Sequence, residues 1–127
     1  MAGKIVVSTL NNDTGVLATQ NGMTGICKAW VNFNGTGTPA IRGSFNVSSI
    51  TDNGTGDFTV NFTTAMPNTT YSVGGSANMT DNPAGGDADD GISYGPTVYT
   101  TTSIRGVVGR TNAPQDAVNI NVQVFSS

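Results

Sequence analysis

Two-residue periodicity constrains this chain more than any other feature. Ala29, Val31 and Phe33 alternate with Lys28, Trp30 and Asn32; Ile41, Gly43, Phe45 and Val47 alternate with Arg42, Ser44 and Asn46; Phe58, Val60 and Phe62 alternate with Asp57, Thr59 and Asn61. Successive side chains of a strand point to opposite faces, so each run reads as a ribbon with one apolar side and one polar side. Between the second and third runs, Asn53-Gly54 tolerates the positive φ of a tight hairpin, which predicts an antiparallel meander. The clearest alternation comes last, with Val118, Ile120, Val122 and Val124 set inward against Asn119, Asn121 and Gln123.

No window sustains apolar spacing by threes and fours, so no helix is expected. Further strands are expected over 4–10, 16–19, 70–79, 97–102 and 103–108, with breaks at Asn21-Gly22 and at the Met66-Pro67-Asn68 corner. Tyr71, Val73 and Gly75 share a face, and Gly74-Gly75 suggests a bulge or a close backbone approach. Residues 80–95 are the most loop-like part. Seven to nine short strands fit an all-β fold, an antiparallel β-sandwich or a jelly-roll-like barrel, and the periodicity does not choose between them. At 127 residues the chain is one domain by size. Residues 1–26 read as an N-terminal strand or attachment arm, or as an ordinary edge strand, and 27–127 as a single β-sandwich domain.

The run Lys28-Ala29-Trp30-Val31-Asn32-Phe33-Asn34-Gly35-Thr36-Gly37-Thr38 is followed by Ile41-Arg42-Gly43-Ser44-Phe45-Asn46-Val47-Ser48-Ser49-Ile50-Thr51-Asp52-Asn53-Gly54-Thr55-Gly56-Asp57-Phe58-Thr59-Val60-Asn61-Phe62. Together they resemble a β-rich domain of bacteriophage virion proteins, often found at the end of tail-fibre chains. The likeness continues weakly through Ala65-Met66-Pro67 to Tyr71-Ser72-Val73. It implies a structural protein exposed on the particle surface, either a tail-fibre or receptor-binding tip or a compact surface knob, with capsid decoration (cement) as the alternative. By analogy with phage fibres, a homotrimer docked on other virion proteins is expected. The resemblance supplies no catalytic residue and no ligand. A free-standing carbohydrate-binding module is the competing reading from another class.

Composition bears on what else the chain does. Only 10% of residues are charged and 36% are hydrophobic, too few charges for the usual disordered signature and too many turn formers for helices. With a net charge of −3 and Lys4, Lys28, Arg42, Arg105 and Arg110 scattered, no nucleic-acid partner is expected. The chain has no histidine and no glutamate, which removes the commonest general base and the commonest carboxylate partner, so no enzyme is expected. Gly35-Thr36-Gly37 lacks the lysine and helix start of a phosphate loop, and no cofactor is expected. Cys27 is the only cysteine, so an intrachain disulfide is excluded and a small buried hydrophobe is the expected role. The apolar run at Ile5-Val6-Val7 is too short for a signal peptide, and nothing approaches the roughly 20 apolar residues of a membrane span. Folding in a cytoplasm is therefore expected; for a phage component, as the resemblance implies, this is the host cytoplasm, with residence on the virion.

Candidate binding residues follow from position and side-chain type. Asp87-Ala88-Asp89-Asp90-Gly91 crowds three carboxylates as a hard-cation loop would, but EF-hand spacing fails, and a solvated acidic loop with no assigned metal is the preferred reading. Asp87, Asp89, Asp90, Tyr94 and Tyr99 are the candidate ligand or receptor residues, with a host surface glycan as a possible partner. Trp30, on the polar side of its ribbon, needs cover: a subunit contact first, a covering loop second, a carbohydrate-binding groove third. The Asn-x-Ser/Thr sites at Asn46, Asn53, Asn61 and Asn68 read as hairpin composition.

Overall fold

The computed structural model describes residues 26–78, 93–110 and 113–126, and every regular element among them is a strand. The strands are β1 (Cys27–Asn34), β2 (Ala40–Phe45), β3 (Val47–Gly54), β4 (Asp57–Phe62), β5 (Ser72–Asn78), β6 (Ser93–Tyr99), β7 (Ser103–Arg110), β8 (Ala113–Pro114) and β9 (Asn119–Phe125). They form two antiparallel sheets, one in the order β2-β1-β9-β5 and the other in the order β3-β4-β7-β6, with β8 paired to β7. Among the described residues neither sheet closes on itself or on the other, so the architecture is a sandwich and not a closed barrel. The expected strands over 4–10 and 16–19, the arm over 1–25 and the acidic loop lie outside the described residues.

The core is made by the alternation read in β1, β4 and β9. Ala29, Val31 and Phe33 face Phe58, Val60 and Phe62 across the sandwich, with Ile120, Val122 and Val124 beside the first set and Ile104 and Val108 beside the second, all buried. Phe33 and Phe58 meet edge to face, their ring centroids 5.4 Å apart. Gly35, just past β1, sits where a Cβ would fall 2.7 Å from Ile120 Cδ1 and 2.8 Å from Phe58 Cζ, so the loop closes directly onto the core. Tyr71 is buried and Val73, Gly75 and Ala77 turn inward, as the shared face in that segment requires.

The second run departs from its expected course. Its alternation continues through Phe45, Asn46 and Val47, but the chain leaves one sheet at Phe45 and enters the other at Val47. The predicted meander is therefore two hairpins in two sheets. Asn46 makes the corner with φ at 55°, a left-handed conformation that a side-chain amide tolerates better than most residues do. Its Nδ2 donates to Lys28 O (3.0 Å) and Thr64 O (3.1 Å), and its Oδ1 accepts from Thr64 N (2.7 Å), so one side chain ties both sheets to the crossing. Asn46→Ala removes these bonds and leaves a Cβ residue in the left-handed region. A loss of about 2 kcal/mol in urea unfolding is expected, with Asn46→Gly losing less because it keeps the backbone conformation.

Two bulges correct other expectations. Between β1 and β9 the pairing steps from Cys27 with Phe125 to Ala29 with Val124, leaving Lys28 as the extra residue. Lys28 is thereby fully buried instead of lying on the polar side, and Cys27 is half-buried beside the outward Phe125. Between β1 and β2, Gly43 pairs with Asn32 and Ile41 with Phe33, leaving Arg42 as the extra residue. This slip puts Gly43 and Phe45 on the outer face, and Phe45, read as apolar-side, is 42% exposed.

The hairpin between β3 and β4 also differs in detail. Asn53 and Gly54 belong to β3, and the turn itself is Thr55-Gly56, with positive φ at Gly54 and Gly56. Gly56 is required there by φ and by space, since a Cβ would stand 2.5 Å from Gln115 N and from Val108 O. Its N–H donates to Asp116 Oδ1 at 2.7 Å.

Candidate functional site

Trp30 leads to the most distinctive surface. On the outer face of the first sheet, Phe45, Trp30, Gln123 and Gly74 stand directly opposite one another across the four strands, and Gly43, Asn32, Asn121 and Ser76 form the adjacent row. Phe125, opposite Cys27 and Ser72, lies in the row beyond the first, and Asn119 and Asn78 lie beyond the second. Trp30, Phe45 and Phe125 are each close to two-fifths exposed. The indole lies over Gly43, whose missing Cβ would touch Cζ3 and Cη2 at 3.4 Å. Gly43 has no positive φ, so what its lack of a side chain provides is room for the ring.

The amides of the second row are joined across strands. Asn32 Nδ2 donates to Asn121 Oδ1 at 2.7 Å, and Asn121 Nδ2 to Ser76 Oγ at 3.4 Å. Arg42, in its bulge, donates to Asn119 Oδ1 and is the one charged side chain beside these rows among the described residues. The outer face of the second sheet is of another kind. There Arg105 holds Asp57 through two bonds, Nε to Oδ1 at 2.8 Å and Nη2 to Oδ2 at 2.6 Å, and these bonds hold the Asp57 carboxyl below its ordinary range. Asn61 donates from Nδ2 to Ser49 Oγ and Thr51 Oγ1, and Asn53 to Thr59 Oγ1, so the polar groups of β3 and β4 pair with one another, while exposed Val98 lies opposite Arg105 on β6.

The other sequence candidates scatter. Asp87, Asp89 and Asp90 lie outside the described residues. Tyr94 is not a ligand-facing loop residue: it is the second residue of β6, 2% exposed. Its ring crosses Gly106 of β7, and its hydroxyl sits 3.0 Å from Ile104 O and 3.2 Å from Phe58 O, sharing its proton between them. Burial, and after it the Asp57 charge, pushes that phenol far above its usual range, so it is a neutral core group. Tyr99 ends the same strand opposite inward Ile104, with its ring on Tyr71 at 5.3 Å between centroids and an exposed outer edge. It closes one end of the core, on the sheet that does not carry Trp30.

Sequence reasoning placed Asn32 beside Trp30 but missed Phe45, Phe125, Asn121 and Gln123 as its neighbours. The polar side of the alternation already held the three amides; what was missing was the pairing of β1 with β9, some ninety residues apart. Of the Asn-x-Ser/Thr asparagines, Asn46 at the corner, Asn53 and Asn61 on the second sheet, and Asn68, which accepts from Thr70 N, all make structural hydrogen bonds. Among the described residues there is no pocket, no cluster of three metal-ligating side chains, and no helix long and apolar enough to cross a membrane. No family model, curated protein or solved structure matches the chain.

Proposed function

We propose that this chain is a structural protein exposed on the surface of a bacteriophage particle, serving as a tail-fibre or receptor-binding tip or as a compact surface knob. The observation that carries the reading is the outer face of the first sheet, where three large aromatics stand in the open beside rows of amides and Arg42 is the one charged side chain beside them among the described residues. Exposed aromatic patches on a small domain mark contact with another molecule. The phage setting is supported by the resemblance of 28–62 to virion domains, a segment that spans β1 to β4 and includes the Asn46 corner. Self-association, with a homotrimer as the expected assembly, and docking on other virion proteins belong to the same reading. Capsid decoration differs from it only in where on the particle the domain sits.

Gold-labelled antibody against the full chain, applied to intact purified particles, tests the proposal. Label on the particle surface is expected, at the tail tip for a fibre and over the head for a decoration protein. Recovery of the chain only as free protein, with unlabelled particles, overturns it.

A further inference from the structure

We propose that the outer face of the first sheet binds an uncharged glycan chain, with the Trp30 indole as its stacking platform and Asn32, Asn121 and Gln123 as its hydrogen-bonding partners. The inference rests on the surface-exposed reading only for where such a glycan would be met; the binding itself is a property of this face.

The chemistry of the face is that of a neutral sugar. A pyranose ring presents C–H groups on its flat side and hydroxyls around its rim. It therefore needs an open aromatic plane next to groups that both donate and accept. Trp30 leans over Gly43, toward the row that holds Asn32, so plane and amides adjoin. An amide offers two donors and a two-lone-pair acceptor, and the cross-strand bonds here take one donor from each of Asn32 and Asn121. Those same bonds hold the two amides in fixed orientations before anything arrives, which lowers the ordering cost of binding. Each row has a glycine at one end, Gly74 on β5 for the Trp30 row and Gly43 beneath the indole for the Asn32 row, and on the β5 side this keeps the surface low enough for a chain to lie across it.

Charge and area exclude the other occupants. The rows hold no acid or base, and Arg42 at their end is engaged with Asn119, so an acidic polymer meets no array of countercharge. A second copy of the chain is a poor fit in size. Strands of 6–8 residues in a four-stranded sheet give a face of about 23 Å by 19 Å, roughly 400 Å², half of the ~800 Å² per partner of a standard stable interface. Pressing the amide rows against a copy would also bury many polar groups that must each find a partner. A flat face without a pocket suits an extended chain of rings better than a small molecule. This assigns Trp30 to a glycan, where its sequence position alone pointed first to a subunit contact.

Trp30 is the only tryptophan of the chain, so its fluorescence reports on this face alone. The full-length protein is titrated with dextran, mannan, a galactan and laminarin, with polygalacturonate as the charged control, and run in gels containing each polymer. A saturable change in emission and retarded migration are expected with at least one neutral polymer. Trp30→Ala should weaken retardation by roughly tenfold or more and Asn121→Ala by roughly threefold to tenfold, while Trp30→Phe retains part of it. Circular dichroism establishes that each variant is folded. The inference is overturned if no neutral polymer changes the emission or retards the protein, if only polygalacturonate binds, or if Trp30→Ala migrates as the parent does. It is equally overturned if emission shifts on concentrating the protein alone, with a rise in mass, because a second copy then covers the ring. Particle labelling does not depend on any of these outcomes, so the two proposals fail separately.

Discussion

Phe58→Ala is expected to lower the free energy of unfolding by about 4 kcal/mol, the middle of the range for deleting a buried aromatic ring. Phe58 is fully buried and reaches from the second sheet to the first, where its ring meets Phe33 edge to face at 5.4 Å. Gly35 and Ile120 line the same space, and neither can collapse into a vacated site, since Gly35 has no side chain and Ile120 is held in the middle of the first sheet. Small domains have roughly 5–15 kcal/mol of stability in total, so this one substitution brings the fold near its limit. Urea denaturation followed by far-ultraviolet circular dichroism should show a lower midpoint at an unchanged slope. Phe58→Leu should recover about half of the loss. A near-neutral Phe58→Ala would mean that the two sheets do not pack through this ring.

Gly106→Ala should have an effect of similar size and opposite origin, about 3 kcal/mol, through crowding instead of a void. The glycine lies on the inward side of β7, and a Cβ there would stand 2.5 Å from Tyr94 Cε1 and 2.9 Å from Gly95 O. The ring has little freedom to retreat. On the opposite sheet Gly75 approaches Tyr94 so closely that its own Cβ would fall 2.7 Å from that of the tyrosine, and the hydroxyl is held at the carbonyls of Phe58 and Ile104. The two glycines thus form a slot across the sandwich that one tyrosine fills. A double-mutant cycle with Tyr94→Leu tests the slot, because removing the ring should make the alanine much less harmful than in the parent. Additive effects of the two changes would show that ring and glycine are not in contact.

Both substitutions concern the same property of the chain, which is how far alternation alone locates the core. For β4 and for β9 itself it did so: Phe58, Val60 and Phe62, and Ile120, Val122 and Val124, are the buried residues and their neighbours are not; just before β9 it failed, since Val118, read inward, is half-buried and Ala117 is in the core. In β1 it failed at Lys28 and, through the same slip, at Cys27, where a bulge adds a residue without leaving a mark in the hydrophobic pattern. Phe45 was misread for the same reason, since Arg42 is extruded from an exposed edge strand and the next residues change face. Tyr94 was misread because Asp- and Gly-rich sequence before it looks like loop, whereas the slot that buries it is made by two glycines remote in sequence.

The candidate site follows the same division. Local periodicity, a property of neighbouring residues, was enough to establish an all-β chain, most of its inward side chains, and the presence of Trp30 and three amides on polar sides. Long-range pairing decided the remainder: that β1 lies against β9, that the ribbon at Asn46 crosses between sheets, and that separate polar sides become one aromatic and amide face. A strand carries its two faces in its own sequence, but which strand lies beside it depends on closing the whole sandwich, where each sheet can bury its apolar side only against the other.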